Sequence, residues 1–343
     1  MDTKLFQQIL AKLQQQRANL TDWLTNAPPE KKKVCLGPEN ETAAKAHLDL
    51  LDETIAKAQS KSLGLCEVCN DYVEPEHLLM DFTACVCLSH YSEEQKRQLE
   101  CELEVSHELQ RALLPQTLPQ IPGLELAAYT RPAEIIGGDF FDFGAFKDGA
   151  TSLTIADVMG KGLPAGMLVA GLQSSLRLLV PENDSSAAVV HRLNLLFCHS
   201  LNLIRFITLF SARYDAEAHT LTYCNAGHHP PLLVSQSPKS SATVQWLQPT
   251  GAAIGLVESF RFGERTVILR PDDVLILYTD GVTEAMNEGM EEFGEARLEK
   301  LARQHAKLQP AELLERIKHN VVDHAGNRGL ADDFTLVIAK AVA

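Results

Sequence analysis

Acidic residues stand at the ends of four apolar, strand-like runs, and this pattern most constrains how the chain can fold. They are Asp139 in IIGGDFFD, Asp157 in LTIADVMG, Asp280 in LILYTDGV and the pair Asp332-Asp333 in LADDFTLV. A carboxylate at a strand end can point into the mouth of a sheet, where burial without a partner costs several kcal/mol. Several carboxylates gathered in one place also repel one another. A fold in which the four runs meet therefore needs cations at that place.

Carboxylate ligands suit hard ions, so converging acids predict Mg²⁺ or Mn²⁺ rather than zinc. Two such ions can share a bridging hydroxide and hold a phosphoryl group for in-line attack. The alternative is that each aspartate only forms a turn or a cap: Asp280 before Gly281 fits an ordinary turn, and Asp332 fits a strand cap. Asp157 fits this alternative least, because it ends an apolar run ahead of a glycine-rich turn. A P-loop is excluded, because GxxxxGK[ST] is absent and Lys161 is followed by glycine.

Strand-like and helical stretches follow one another after residue 124 without strict alternation. The predicted strands are LELAAYT, FFDFGAF, SLTIADV, FITLFSARY, LTYCNAG, TVILR, DVLILYTD and DFTLVIAKA, and the predicted helices cover 163–179, 186–203, 295–305 and 310–324. Short turns such as KDGA and RPDD favour hairpins and antiparallel sheet. The predicted fold class is α+β, with sheet at the centre of a layered domain.

The N-terminal part of the sequence has a different pattern of apolar and polar residues, which predicts helices. Residues 1–61 contain two amphipathic stretches around the polar break PPEKKKVCLGPENET, which predicts a helical hairpin. A capping-box pattern at Ser92 and Gln95 begins a helix over 92–114, with leucines along one face and prolines at its end. We expect this linker helix to pair with its copy in a homodimer and to lead into a second domain over 115–343.

A cluster of thiols ahead of the linker helix predicts a zinc ribbon. Cys66-x₂-Cys69 and Cys87-x₂-His90 are separated by seventeen residues, a spacing typical of two zinc knuckles. Thiolate and imidazole are the softer donors that zinc accepts. Two alternatives stay open, namely Cys85 in place of Cys87, and cysteines buried in a small core without metal. Four protein ligands leave no place for substrate, so one Zn²⁺ here is expected to hold the fold or support a protein contact.

The predicted hairpin, the ribbon over 62–91 and the helix after it are similar to DksA/TraR-type zinc modules, which usually have cysteine at the position of His90. Acidic residues outnumber basic ones over 62–104, and the whole chain has a formal net charge of −14. Nucleic-acid and anionic membrane partners are therefore not expected. We find no apolar run near the ~20 residues that cross a bilayer and no signal-peptide pattern, so the expected location is the cytoplasm.

Five motifs after the linker occur in an order and spacing that resemble the SpoIIE/RsbU-type branch of the PPM protein phosphatases. They are GGDFFD, ADVMGKG, NAGHHPP, YTDGVTEA and DDFTLV, and ELQRALLP precedes them. The resemblance covers about 115–341 and implies an α-β-β-α sandwich. It also implies a phosphoserine/phosphothreonine phosphatase, in which a hydroxide bridging two Mn²⁺ or Mg²⁺ ions attacks the phosphate. The implied substrate is a regulatory phosphoprotein such as an anti-sigma-factor antagonist.

The same resemblance assigns roles to single residues. Asp333 belongs to the implied metal site, where it either binds a metal ion or supports the neighbouring ligand Asp332. Arg131 is a candidate contact for the substrate phosphate, and NAGHHPP is expected mainly to shape a loop. The implied metal ligands are Asp139, Asp157 (bridging both ions), the carbonyl oxygen of Val158, Asp280 and Asp332.

One position departs from the wider superfamily, where a histidine two residues after the bridging aspartate is a candidate general acid. Here that position is Met159, which cannot donate a proton. Protonation of the leaving group then has to come from water or another residue, or a metal ion has to assist the departing alkoxide. The alternative function is a non-catalytic signalling regulator that binds proteins through the zinc region. The complete set of acids favours the enzyme.

Overall fold

The computed structural model describes residues 3–26, 40–60, 62–74, 85–200, 206–237 and 240–342. By its internal contacts the chain divides into two compact units, residues 1–102 and 103–343. Most of the predicted break between the first two helices, and the end of the helix predicted over 186–203, lie outside the described residues.

Two helices form the start of the first unit, as predicted: α1, Thr3–Asn26, and α2, Asn40–Gln59. They pack together through the buried side chains of Leu13, Leu51 and Ile55, because apolar residues recur at helical spacing on one face of each. A third helix, α3, covers Glu93–Leu113 and crosses the division between the units. The predicted capping box begins it: the Gln95 N–H donates to Ser92 Oγ at 3.2 Å, and the Ser92 N–H donates to Gln95 Oε1 at 2.9 Å.

The second unit contains two five-stranded antiparallel sheets. The first has the strand order β1-β10-β9-β6-β7 and the second β2-β3-β4-β5-β8. The strands are β1 Leu124–Arg131, β2 Asp139–Ala145, β3 Thr151–Val158, β4 Ile207–Asp215, β5 Thr220–Ala226, β6 Leu232–Ser237, β7 Ser240–Trp246, β8 Arg265–Ile268, β9 Val274–Tyr278 and β10 Phe334–Ala341. The helices are α4 Leu163–Leu179, α5 Ser186–Ser200, α6 Asp280–Thr283, α7 Gly294–His305 and α8 Pro310–Ala325.

Three layers of apolar packing hold this unit together. Helices α4 and α5 pack on the sheet that contains β3, for example through Val169 against Ala156. Helices α7 and α8 cover the other sheet, and the inner faces of the two sheets meet through residues such as Phe210 and Leu277. Strand β10 is buried at every position, as expected for a strand covered on both faces. The predicted α+β class and α-β-β-α sandwich are confirmed.

Two strands of the first sheet, β6 and β7, are missing from the sequence-based prediction. Their stretch, LLVSQSPKSSATVQW, has only a short apolar run and a polar centre with proline. Strand β6 is nonetheless central, because it pairs with β9 through Leu232 opposite Ile276. Tertiary pairing decides the strand state here, which local sequence preference does not reveal.

Helix α4 corrects the expectation that no apolar run reaches membrane-spanning length. The stretch Leu163–Glu182 has 20 residues and a mean hydropathy of 1.4, which is enough to cross a membrane by length and composition alone. In the fold its inner face, including Val169, Leu172 and Leu176, belongs to the core against the second sheet. A core helix of a folded domain has the same apolar composition.

Candidate active site

Two of the predicted acids face each other across neighbouring strands. Asp139 begins β2 and Asp157 lies near the end of β3, and the two residues are direct partners in the antiparallel ladder. Side chains of directly opposed residues lie on the same face of a sheet. Asp139 is buried, and burial together with the charge of Asp157 raises the pKa of Asp139 well above its ordinary value.

The other sheet brings in the remaining acids. Asp280 follows β9 and begins the short helix α6, and Asp332 lies two residues before β10. Burial first, and then the charges of Asp280, Asp332 and Asp333, raise the pKa of Asp157 to about 7. The strand ends of both sheets therefore bring the predicted acids together in one cluster, whose carboxylates oppose each other's ionisation.

A threonine network beneath Asp139 is absent from the sequence-based site. The Thr279 hydroxyl donates to Asp139 Oδ2 at 2.6 Å, and the Thr335 N–H donates to Thr279 Oγ1 at 3.0 Å. The Thr335 hydroxyl in turn lies 2.7 Å from that of Thr130. These threonines orient Asp139 from the opposite sheet. Their positions beside acids in YTDG and DDFT were the only signal in the sequence.

Asp333 is held by the loop that leads to Asp139. Its carboxylate accepts backbone N–H groups of Ala133 at 2.7 Å and of Gly138 at 2.5 Å. Such bonds fix the loop, which is the supporting role that the sequence left open for Asp333; its place on a metal ion stays a prediction. Glycine is required at position 138, because a Cβ there would lie 2.5 Å from the carbonyl oxygen of Val158.

Lys161 has a role that the sequence did not reveal. Its ammonium group lies 3.0 Å from Asp332 Oδ1 and donates to the carbonyl oxygen of Ala331 at 2.6 Å. The Gly-Lys-Gly turn before α4 therefore places a cation against one of the predicted ligands. Two residues earlier, Met159 is 43% exposed, and its thioether has no proton to donate.

Two residues of the NAGHHPP loop, Asn225 and His228, form hydrogen bonds that hold the loop in place. Asn225 Oδ1 accepts the His228 N–H at 2.8 Å, and the buried His228 ring bonds the Thr208 hydroxyl at 2.9 Å and the Tyr278 carbonyl at 3.1 Å. Burial, with a smaller contribution from His229, lowers the pKa of His228 to about 3. His228 is therefore neutral near pH 7 and ties this loop to β4 and β9.

A further group beside the acids was missed in the sequence. His229, Asp280 and Glu284 each place a donor atom within 4.8 Å of the others. Glu284 stands four residues after Asp280, one helical turn away, and burial followed by the charge of Asp280 raises its pKa. That spacing in TDGVTE was a readable signal.

Arg131 lies at the end of β1 and lines a cavity with Asp139 and Asp333. Asp157, Asp280 and Asp332 do not line this cavity. The structure thus places Arg131 on one side of the acid cluster, and its contact with a substrate phosphate stays a prediction.

In the first unit, the predicted thiol ligands converge. One donor atom from each of Cys66, Cys69, Cys87 and His90 lies within 4.8 Å of the others. Cys66 Sγ is 3.4 Å from His90 Nδ1, and Cys69 Sγ is 3.9 Å from Cys87 Sγ. Burial disfavours ionisation of Cys66, but nearby backbone N–H groups and His90 outweigh it and lower the pKa of Cys66 to about 6. Cys85 is exposed and is not part of this group, which favours Cys87 over Cys85.

Comparisons with known proteins agree with the sandwich fold. The family described as Stage II sporulation protein E (SpoIIE) matches residues 147–342, more than half of the chain. The phosphoserine phosphatase RsbU of Bacillus subtilis (strain 168) is 28% identical over 246 residues, which are 71% of each chain.

Two solved structures share the fold. The SiaA-PP2C domain of Pseudomonas aeruginosa matches with a TM-score of 0.61 and 21% identity, over 72% of this chain and 98% of that one. The RsbU and RsbW domains of Rv1364c from Mycobacterium tuberculosis match with a TM-score of 0.55 and 26% identity, over 67% of this chain and 63% of that one.

Proposed function

The chain belongs to the SpoIIE family, and we propose that it removes phosphate from phosphoserine in a regulatory phosphoprotein. It is a protein serine/threonine phosphatase. The observation that carries the proposal is the cluster of Asp139, Asp157, Asp280 and Asp332, gathered from the strand ends of two sheets. An all-carboxylate cluster in a partly buried place suits hard divalent cations and the oxygens of a phosphate group.

The donor chemistry of the cluster, which consists of carboxylate and carbonyl oxygens, suits two Mn²⁺ or Mg²⁺ ions. Asp139, Asp157, Asp280, Asp332 and the carbonyl oxygen of Val158 would hold them, and the raised pKa of Asp157 indicates that the acids need positive charge to ionise together. Two bound divalent cations supply a nucleophilic water at neutral pH and stabilise the negative charge on the phosphoryl oxygens.

The chain's own residues set the geometry of this site. Thr279 fixes the carboxylate of Asp139, and Lys161 fixes that of Asp332. Preorganised groups of this kind contribute because they need no rearrangement during the reaction. Met159 cannot donate a proton, so the leaving serine oxygen either takes its proton from water or another residue or departs with help from a metal ion.

The proposed substrate is an anti-sigma-factor antagonist phosphorylated on serine. The motif resemblance implies such a regulatory protein, and the similarity to the phosphoserine phosphatase RsbU supports phosphoserine as the target group. The test measures phosphate release with Mn²⁺ from one such antagonist prepared with phosphoserine, phosphothreonine or phosphotyrosine at the same position. We expect kcat/KM to be highest for phosphoserine and lowest for phosphotyrosine. No release from any of the three would favour the non-catalytic regulator instead.

We propose one structural Zn²⁺ in the first unit, held by Cys66, Cys69, Cys87 and His90. Its support is the mutual approach of the four donor atoms and the low pKa of Cys66, because zinc binds thiolates. Elemental analysis of purified protein tests it. We expect about one zinc per chain in the wild type and in Cys85→Ser, and loss of zinc in Cys87→Ser. Equal zinc in both variants would contradict this ligand set.

We also propose that α3 pairs with its copy in a homodimer, in a cytoplasmic protein whose partners are proteins rather than nucleic acid or membrane. Leu99 is 38% exposed and Leu109 64% exposed on this helix, and a row of leucines along a helix is the kind of surface that a second helix covers in a coiled coil. Sedimentation at micromolar concentration tests it: we expect a dimer that Leu109→Glu dissociates, and a monomeric wild type would contradict it.

A further inference from the structure

A cavity of about 440 Å³ lies beside the acid cluster, between the end of α3 and the ends of β1 and β2. Its volume is within the range of small-molecule sites, roughly 300–1,000 Å³. It mixes charged, polar and aromatic side chains, whereas the acid cluster contains mainly carboxylates. The lining residues that determine which ligand the cavity can bind are His107, Arg111, Tyr129, Arg131 and Phe141.

Positive charge is available in this cavity. Arg111 comes from α3 and Arg131 from β1, and within the described part of the chain neither guanidinium has a carboxylate in ion-pair contact. The two acids on the cavity wall are already engaged: Asp139 accepts from the Thr279 hydroxyl, and Asp333 accepts from backbone N–H groups. In a chain with a net charge of −14, two arginines without an acidic partner in one cavity are available for an external anion.

His107 adds a polar atom in a fixed orientation. Its Nδ1 donates to the carbonyl oxygen of Ile135 at 2.6 Å, so Nε2 is the ring atom that remains to bond a ligand. The neighbouring residue on the cavity wall, Gln110, is itself locked to Gly137 by two hydrogen bonds of 2.6 and 3.0 Å. The polar wall is therefore held in place before any ligand arrives.

The aromatic wall is also rigid. Phe141 is 5% exposed and packs edge-on against Phe143, with ring centroids 6.0 Å apart. Tyr129 packs edge-on against Phe334 at 5.9 Å, and Lys318 Nζ lies 4.5 Å from the centroid of its ring. Two fixed rings give a flat apolar group a surface to pack against.

We propose that this cavity binds a small organic anion, with a phosphate, phosphonate or carboxylate group on Arg111 and Arg131 and a flat apolar part against Tyr129 and Phe141. The arginines provide planar, forked donors that match such groups. The occupant lies beside Gly137 and Asp139, so it also stabilises the loop that presents Asp139. Arg131 and Asp139 are shared with the proposed catalytic site, so this proposal rests in part on the proposed function.

Isothermal titration calorimetry with phenylphosphonate tests the proposal on the full chain, dialysed free of Mg²⁺ and Mn²⁺. Without these ions the acid cluster has no cation to hold an anion, so heat of binding reports on the arginines of the cavity. We expect saturable binding with a Kd of about 0.1–1 mM, the range for a ligand of this size. Inorganic phosphate, which has no ring, should bind at least about fivefold more weakly.

The matched variants are Arg111→Gln and Arg131→Gln, each expected to weaken binding at least about tenfold. Arg131→Lys keeps the charge but loses the forked guanidinium donors, so we expect its affinity to lie between those of the wild type and Arg131→Gln. This variant replaces Arg131→Gln if the glutamine variant does not fold. Arg192→Gln is the control, because Arg192 pairs with Glu182 at 3.0 Å and does not line the cavity. No saturable binding up to about 10 mM, or unchanged affinity in the Arg111 and Arg131 variants, would overturn the proposal.

Discussion

Without divalent cations, the protein is expected to lose stability as the pH rises from about 4 to about 7. Burial and the neighbouring acids raise the pKa of Asp157 from its ordinary 3.8 to about 7. In this window the folded state keeps the proton and the unfolded state releases it, so the unfolded state binds fewer protons and stability falls with pH. At 1.36 kcal/mol per pKa unit, Asp157 alone accounts for about 4 kcal/mol of lost stability above pH 7.

That loss is large beside the ~5–15 kcal/mol that stabilises a typical domain. Asp139 and Asp280 act in the same direction, because burial and neighbouring acids raise their pKa values too. Bound cations favour the ionised acids and bind more tightly as those acids lose their protons, so an excess of Mn²⁺ should abolish or reverse the loss of stability.

Urea denaturation at several pH values between 4 and 8, with and without Mn²⁺, measures this effect. The two tryptophans of the chain are Trp23 and Trp246, so fluorescence of the Trp23→Phe variant reports on the second unit. Asp157→Asn is the matched control, because an amide does not titrate. It should flatten the profile and make the metal-free protein more stable than the wild type above pH 7. A wild-type stability that is constant or rises over this window, or the same slope in both proteins, would refute the reasoning.

Two further predictions concern close contacts around the site. A Cβ at Gly281 would lie 2.0 Å from the carbonyl oxygen of Asp333. Gly281→Ala should therefore lower the melting temperature by about 4–8 °C and lower kcat at least about tenfold. Gly171→Ala is the control, because no atom lies within 4 Å of the added carbon, and it should leave both quantities nearly unchanged. Gln110→Ala removes both hydrogen bonds to Gly137. This change should lower the free energy of unfolding in urea by about 1–3 kcal/mol and reduce kcat. Unchanged values of both quantities would contradict a positioning role for Gln110.

The sequence predicted those parts of the fold and site that depend on local pattern. Apolar runs bounded by Asp139, Asp157 and Asp280 revealed strands and acids together, because a buried strand has a continuous apolar signature. Strands β6 and β7 escaped prediction, since their state depends on pairing with β9, far away in the chain.

Long-range partners could not be read from the chain in the same way. Thr279 bonds Asp139 across 140 positions of sequence, and Lys161 approaches Asp332 only after two sheets have packed. Nothing about an isolated threonine or lysine indicates such a partner. Glu284, in contrast, stands one helical turn after Asp280, and its approach to the cluster was predictable from helical spacing.

The most direct test of the central account is phosphate release from a phosphoserine protein by wild type and Asp157→Asn, each with Mn²⁺ and after chelation. The account predicts turnover that requires Mn²⁺ or Mg²⁺ and falls at least about 100-fold in Asp157→Asn. The control variant is Asp148→Asn, since Asp148 pairs with Arg213 outside the acid cluster, and it should keep near-wild-type turnover. Activity that survives either chelation or the loss of the Asp157 carboxylate would contradict a phosphatase built on these four aspartates.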